Sequence, residues 1–279
     1  VKRIRQVYGE NGGPGGIFPA LRNMGPLLHI AETMSRLCPQ APLLNFSNPE
    51  QKLCEGLNRL TGIKAVGLCH GYFMATHQLA RMFQLPQAEI GGRACGINHF
   101  TVFQTLVHKK TGEDLYPRLR ELDRRARWTS DWNELALGRA LFRLYGLWPS
   151  PGTNHYGEYI AWAPEFMASE LHFYFDAREG EPWETGNTPE FVYTIDRAPS
   201  GPAWRGEPKP VQTTAPPLTD EITPSDEMAI PIMEAMLFDR KRELESANLV
   251  NRGAIPNLPD DMVVEVPALC DAEGWRPVP

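Results

Sequence analysis

The sequence has no uninterrupted apolar run near the roughly 20 residues that a membrane-spanning helix needs. Its first residues, VKRIRQVYGENGG, lack the apolar core of a signal peptide. The formal net charge of -6 is spread without long like-charge runs, so there is no basic footprint for nucleic acid or an anionic membrane. We therefore expect a cytoplasmic protein that acts on a small molecule, with neither nucleic acid nor a membrane as partner.

Closely spaced cysteine pairs are also missing. The five cysteines are Cys38, Cys54, Cys69, Cys95 and Cys270, and no two of them form a CxxC motif. This pattern argues against a disulfide framework and against a zinc ribbon. A convincing GxGxxG turn after a strand is absent as well. The Gly-rich loop at Gly12–Gly16 follows no clear strand and is a poor substitute for it.

Short apolar strands alternate with helices in the first part of the chain. Apolar spacing predicts a helix from the Gly-rich loop to about Leu37, and residues 50–61 form a second predicted helix. APLLNFSNP and IKAVGLCHG are predicted buried strands with polar tips. This alternation is typical of a parallel, doubly wound sheet, in which ligands collect at the carboxyl ends of the strands.

The rest of the chain predicts a mixed domain. RACGINHF and TVFQTLVHKKTGEDLY predict a hairpin around the Lys-Thr-Gly turn, and residues 180–217 predict a loop excursion. The predicted helices cover about 73–83, 116–146, 158–171 and the segment SDEMAIPIMEAMLFDRKRELESANL, with Ser225 or Asp226 as N-cap. We expect an α/β fold, with a partial doubly wound, Rossmann-like domain over 1–72 and an α+β catalytic or substrate domain over 73–279.

Polar and metal-coordinating side chains collect at the predicted strand tips. They are Asn45, Asn48, Cys69, His70, Asn98 and His99. A lone cysteine or histidine is more often a core residue, so we infer a site only from the group as a whole. Thiolate and imidazole together suit a divalent metal with positions left open to substrate, and their softness favours zinc.

The segment PSPGTNHYGEYIAW supplies a second cluster. It contains His155, Tyr156, Glu158 and Tyr159. Aromatic residues at the start of a helix usually pack in the core, but a tyrosine near a metal cation could have its pKa lowered enough to act as a base.

The succession of motifs resembles glycoside hydrolase family 4 over nearly the whole chain. The motifs are GPGGIFPALR, NFSNP, GLCHG, GINHF, PSPGTNHYGEY and NRGAIPNLPDDMVVEVP, in that order. The resemblance implies a hydrolase that uses NAD and a divalent metal, usually manganese, in place of the paired carboxylates of ordinary glycosidases. It implies oxidation at the sugar C3, deprotonation at C2, elimination of the leaving group and addition of water.

The resemblance also implies roles for individual residues. Cys69 and His99 match the metal ligands, and Tyr159 matches the C2 base, with Tyr156 as its rival. His70 is expected to assist the leaving group. The implied substrate-binding residues are Asn48, Asn98, Arg22 and His155, and the implied cofactor-binding residues are Asn45 and Asn48.

The triplet Cys-His-Gly resembles the branch of this family that acts on α-linked uronic acids. The family resembles lactate and malate dehydrogenases in fold. The resemblance to the family also implies assembly as a homodimer or homotetramer. Against the family pattern, this sequence looks truncated at both ends, without the first nucleotide-binding strand and the C-terminal helices. Two alternatives therefore stay open: a non-catalytic truncated remnant, and a 2-hydroxy-acid dehydrogenase-like oxidoreductase.

Overall fold

The structure is a computed structural model that describes residues 10–125, 136–163 and 227–278. The helices are α1 (Gly13–Leu37), α2 (Glu50–Leu60), α3 (Gly71–Phe83), α4 (Tyr116–Arg125), α5 (Ala136–Tyr145), α6 (Thr153–Tyr156) and α7 (Ala229–Phe238). The strands are β1 (Leu43–Asn45), β2 (Ala65–Gly67), β3 (Ile90–Ile97), β4 (Phe100–His108), β5 (Pro149–Ser150), β6 (Arg242–Val250), β7 (Val263–Asp271) and β8 (Gly274–Pro277). Short 3-10 turns cover Gln87–Glu89 and Gly157–Tyr159.

One mixed sheet joins all eight described strands in the order β1-β2-β6-β7-β3-β4-β5, with β8 paired to β7. Strands β1 and β2 are parallel, as predicted, and every other pair is antiparallel. The α/β class is confirmed. The sheet continues across the predicted domain boundary at residue 72 because Gly67 of β2 pairs with Asn248 of β6. That boundary stays a prediction.

Of the four apolar clusters among the described residues, the two largest pack helices against this sheet. One joins α3 and α4 to β3 and β4, with Tyr72, Phe103, Tyr116 and Trp148 at its centre. The Tyr116 hydroxyl donates to the Phe103 carbonyl and accepts the Trp148 N–H at 3.1 Å, which satisfies a buried polar group inside this cluster. The other cluster packs α7 on β2, β6 and β7. Short loops follow the carboxyl ends of β1 and β2.

The β-hairpin turn differs from the sequence prediction. Strands β3 and β4 pair from Ile97↔Phe100 outward, so the turn is Asn98–His99 and not Lys-Thr-Gly. The Lys-Thr-Gly turn instead follows β4 and leads only to an isolated bridge between Val107 and Asp114. His99 adopts a left-handed conformation with φ 70°. The turn therefore consists of two predicted site residues, Asn98 and His99.

The predicted helix over SDEMAIPIMEAMLFDRKRELESANL is wrong in its second half. Helix α7 ends at Phe238, and Asp239 takes a left-handed φ of 51°. The chain then forms β6, whose Leu244, Ala247 and Leu249 are buried by pairing with β7. The strand's long-range pairing overrides the helical spacing of its apolar residues. Ser225 and Asp226 lie outside the described residues, as does the predicted excursion over 180–217.

Other predicted boundaries also shift. Within the predicted helix over 116–146, the described residues form α4 and α5, and residues 126–135 lie outside the described part. Over 158–171, a 3-10 turn ends at Tyr159, and residues beyond 163 are not described. The predicted loop at Gly12–Gly16 is instead the first turn of α1, in which the Gly16 N–H donates to the Gly12 carbonyl at 3.0 Å.

Candidate active site

A cavity of about 400 Å³ opens at the carboxyl ends of β1 and β2. Its lining residues come from both strand tips, α2 and the start of α7: Phe46, Asn48, Glu50, Leu68, Cys69, His70, Glu227 and Ala229. The structure therefore brings together the NFSNP and GLCHG segments, as the doubly wound pattern predicted.

Asn45 has a structural role in this loop. Its side chain is buried, donates to the Ser47 carbonyl at 2.9 Å and accepts the Ser47 N–H at 3.2 Å. Asn48 is better placed for binding, because it lines the cavity. The Asn48 carbonyl accepts a 2.6 Å hydrogen bond from the Asn23 side chain, and its Oδ1 lies 3.3 Å from Nδ2 of Asn11. The cofactor-binding roles of Asn45 and Asn48 stay predictions.

Cys69 follows β2 and lies among polar groups. Burial raises the pKa of the Cys69 thiol, and the nearby Glu265 and Glu50 carboxyls raise it further. The side chain of Asn98 and the backbone of Gly71 act in the opposite direction and lower the pKa of the thiol. Asn98 also donates from Nδ2 to Oε2 of Glu265 at 2.9 Å. Asn98 thus links the thiol to a carboxyl group from β7.

Glu50 and Glu265 are buried acids that the sequence analysis did not assign to the site. Glu50 is 1% exposed, and its Oε1 accepts a hydrogen bond from Nδ2 of Asn248 at 3.2 Å. Burial and the neighbouring Glu265 raise the pKa of Glu50 to about 9. Burial also raises the pKa of Glu265, although Ser246 donates to its Oε1 at 2.5 Å. A charged residue inside the apolar run VVEVP was the signal that could have revealed Glu265.

His99 lies in a second polar group that includes the start of α1. Its Nδ1 is 2.9 Å from Nδ2 of Asn11 and 3.4 Å from Oε1 of Glu158. Its ring packs edge-on against the ring of His155, with 4.3 Å between the two ring centroids. Burial, with a contribution from His99, lowers the pKa of His155 to about 4. Burial raises the pKa of Glu158, but hydrogen bonds from His99, Gly12 and Asn11 outweigh it and keep the pKa below its ordinary value.

The two candidate tyrosines occupy different environments. The Tyr159 hydroxyl donates to the Asn98 carbonyl at 3.0 Å and accepts from Nζ of Lys52 at 3.1 Å. Tyr156 is 1% exposed and packs among Leu137 and Leu141. Its position in the core favours Tyr159 as the tyrosine that reaches a substrate.

His70 and Arg22 lie closer to solvent. His70 borders the cavity, and its Nε2 is 3.1 Å from Oε1 of Glu227. Arg22 is exposed on α1, next to Asn23. Among the described residues, Arg22 is not one of those that line the cavity. Its substrate-binding role stays a prediction, like that of His155.

The donor set fits a metal site with few protein ligands. The carbonyl oxygens of the Asn11 and Asn98 side chains are buried without a hydrogen-bond partner among the described residues, and each asparagine contacts one of the two candidate ligands, His99 or Cys69. Such orphaned acceptors indicate a missing cation, ligand hydroxyl or water. Within the described ranges, no group of three or more His, Cys, Asp or Glu side chains is arranged to hold a metal ion by itself. Cys69 and His99 would therefore leave coordination positions to substrate and water.

No helix in the described part of the chain is both long enough and apolar enough to cross a membrane.

Two family models match almost the whole chain. The one described as Family 4 glycosyl hydrolase matches residues 2–85, and the one described as Family 4 glycosyl hydrolase C-terminal domain matches residues 94–279. An α-glucosidase of Erwinia rhapontici is 28% identical over 97% of this chain and 61% of the relative. An α-galactosidase of Bacillus subtilis (strain 168) is 31% identical over 98% of this chain and 59% of the relative. The chain thus spans less than two thirds of the length of these curated relatives.

Solved structures share the fold. A putative glucosidase of Bacillus subtilis, lplD, has a TM-score of 0.69 and 25% identity, covering 99% of this chain and 63% of its own. A 6-phospho-α-glucosidase from gut microorganisms, solved in complex with NAD and Mn²⁺, has a TM-score of 0.63 and 21% identity, covering 97% of this chain and 61% of its own. The likeness to the second structure shows a common fold.

Proposed function

This chain belongs to glycosyl hydrolase family 4, and from that premise we propose that it carries the catalytic centre of a glycosidase for α-linked sugars or uronides. Relatives named α-glucosidase, α-galactosidase and α-galacturonidase support this substrate range. The observation that carries the proposal is the arrangement around Asn98. Its carbonyl accepts from the Tyr159 hydroxyl at 3.0 Å, its side chain lowers the pKa of the Cys69 thiol, and the next residue is His99.

The proposed cofactors are NAD and Mn²⁺. When bound, NAD would accept a hydride from the sugar C3, and the metal would act as a Lewis acid on the sugar oxygens. Cys69 and His99 would hold the metal. Burial keeps the Cys69 thiol protonated, so metal binding would release its proton.

The chain's own residues would handle the sugar and its protons. Tyr159, as phenolate, would take the proton from C2 and become a phenol. Asn48 would hydrogen-bond sugar hydroxyls from the cavity wall. His70, at the more exposed side of the cavity, would donate a proton to the departing glycosidic oxygen.

A panel of nitrophenyl α- and β-glycosides and uronides tests the activity, with NAD, Mn²⁺ and a thiol reductant present. We expect cleavage of an α-linked substrate that needs both cofactors, together with incorporation of solvent deuterium at C2 of the product. Deuterium at C2 distinguishes this mechanism from direct hydrolysis by paired carboxylates, which leaves the C2–H bond intact. Cleavage without C2 exchange would contradict the proposal.

Calorimetric titration with Mn²⁺ tests the metal site separately from turnover. We expect Cys69→Ser and His99→Ala each to weaken Mn²⁺ binding at least about tenfold, while Cys38→Ser, an exposed cysteine, binds like the wild type. Unchanged Mn²⁺ affinity in either site variant would place the metal elsewhere.

The two alternatives predict different outcomes. A 2-hydroxy-acid dehydrogenase would accumulate NADH, whereas a glycosidase returns the hydride to its product and accumulates none. A non-catalytic remnant would not bind NAD, so micromolar NAD affinity in the 279-residue chain would rule it out.

Assembly as a homodimer or homotetramer is a further part of the proposal. It is supported by exposed apolar side chains on α1: Ile17, Phe18 and Leu21.

A further inference from the structure

Lys52 and Tyr159 form a close pair between α2 and the 3-10 turn at Gly157–Tyr159. Nζ of Lys52 donates to the Tyr159 hydroxyl at 3.1 Å and lies 5.0 Å from the centroid of the same ring. The two residues are 107 positions apart in sequence, so their meeting is a property of the fold. Both residues are partly buried.

The other groups around the phenol disfavour its ionisation. Burial raises the pKa of Tyr159, and the negative charges of Glu158 in the same turn and Glu265 on β7 raise it further. The remaining neighbours are the Asn98 carbonyl, which accepts the phenol proton, and the stacked ring of Phe100 at 6.4 Å. A phenol in these surroundings needs a compensating cation before it can act as a base at neutral pH.

Lys52 is the cationic side chain that contacts this phenol within the described residues. Burial lowers the pKa of Lys52, and the carboxylates of Glu158 and Glu55 counteract that effect and favour its charged form. An ammonium group is a compact charge that can approach a single oxygen and the ring face together.

We propose that Lys52 is a positioning residue that stabilises the phenolate of Tyr159 and directs it toward the sugar. This inference rests on the proposed role of Tyr159 as the C2 base. In the forward step the C2–H bond breaks, the proton joins the Tyr159 oxygen, and the electron pair stays on the sugar carbon. After water has added, the phenol returns the proton to C2, and Lys52 remains an ammonium ion throughout.

The ionisation of Tyr159 can be measured without substrate or cofactor. Difluorotyrosine placed at position 159 ionises closer to neutral pH than tyrosine, and fluorine NMR reports its protonation apart from the other tyrosines. We expect Lys52→Met to raise the pKa of this residue by about one unit or more. Lys52→Arg, which keeps the charge, should raise it less. Lys64→Met, at an exposed lysine, should leave it unchanged. An unchanged or lowered pKa in Lys52→Met would overturn the proposal.

The pH profile of C2 exchange gives a second measurement in the NAD- and Mn²⁺-loaded chain. We expect Lys52→Met to shift the rising limb of this profile to higher pH and to lower kcat about tenfold at neutral pH, with KM little changed. Circular dichroism melting curves confirm that the variant is folded. An unshifted profile in folded Lys52→Met would contradict the role of Lys52. Absence of exchange in the wild type would instead contradict the proposed function, while the fluorine titration would still decide the role of Lys52.

Discussion

Glu158 and His99 form a buried contact in which the carboxylate Oε1 lies 3.4 Å from the imidazole Nδ1. The other carboxylate oxygen accepts the backbone N–H of Asn11 at 2.6 Å and also that of Gly12. One side chain therefore fixes the His99 ring and ties the hairpin turn to the start of α1. A carboxylate that orients a metal-binding histidine through its second nitrogen is a common arrangement.

Glu158→Gln should destabilise the fold, because two backbone donors and the imidazole lose a charged acceptor. We expect the free energy of unfolding to fall by about 1–3 kcal/mol, measured by urea denaturation. Glu113→Gln, at an exposed position, is the matched control and should change it by less than about 0.5 kcal/mol. Equal denaturation midpoints for Glu158→Gln and the wild type would show that the contact adds no stability.

Tyr159→Phe should abolish deuterium exchange at C2 of the sugar, because only the Tyr159 hydroxyl would reach that carbon. Tyr156→Phe is the matched control, since it removes the same atom from a tyrosine that packs among Leu137 and Leu141. We expect Tyr156→Phe to keep exchange at a rate near that of the wild type, measured by NMR in deuterated buffer. The reverse result would make Tyr156 the base.

Gly67→Ala should destabilise the protein through a steric clash with the buried side chains of Glu50 and Asn248. A methyl group there would lie 2.5 Å from Oε1 of Glu50 and 2.9 Å from Cβ of Asn248. We expect a loss of about 1–3 kcal/mol in unfolding free energy. Gly62→Ala is the control, because nothing lies within 4 Å of its added methyl group. A smaller loss from Gly67→Ala in a Glu50→Ala background would identify the Glu50 side chain as the obstacle.

We expect the free energy of unfolding to fall at alkaline pH as the buried phenol of Tyr116 loses its proton. Burial raises the pKa of Tyr116 to about 12, from its ordinary value of 10.0. The folded state then holds the phenol proton more tightly than the unfolded state, so this group's contribution to stability is complete below pH 10 and is lost as pH rises toward 12. Urea denaturation across this window should show a shallower pH dependence in Tyr116→Phe.

Two other tyrosines calibrate that measurement. Burial also raises the pKa of Tyr72 to about 12, so part of the alkaline slope should persist in Tyr116→Phe. Tyr145 is 70% exposed at the end of α5, and Tyr145→Phe should change the free energy of unfolding at neutral pH by less than about 0.5 kcal/mol. An identical slope in Tyr116→Phe and the wild type would contradict the assignment.

Much of the fold was predictable because its signals are local. An apolar run with a polar tip identifies β1 and β2, and the helix between them makes the pair parallel. The predicted position of the hairpin turn was wrong because Lys-Thr-Gly is a stronger local turn signal than Asn98–His99. The contact that holds Asn98 in the true turn comes from Glu265, 167 residues away in sequence.

In the candidate site, too, the residues with local sequence signals were predicted, and those that depend on contacts distant in sequence were missed. The coordinating types of Cys69 and His99 are visible in the sequence, as is the resemblance to family 4, which the family models confirm. Glu50 was missed because its surroundings depend on Asn248, 198 residues away. Lys52 was missed because a lysine on a helix surface is usually solvated, and only the fold brings it to Tyr159.

The left-handed backbone of His99 carries a local energetic cost that the contacts of its side chain offset. A side chain larger than hydrogen at φ 70° costs on the order of 1 kcal/mol, and glycine would remove that cost. Glycine would also remove the imidazole. Because the imidazole contacts Asn11 and Glu158 in a buried setting, that loss outweighs the relief of backbone strain. A mutant library sorted for heat resistance alone should therefore retain histidine at this turn, as should a screen for turnover.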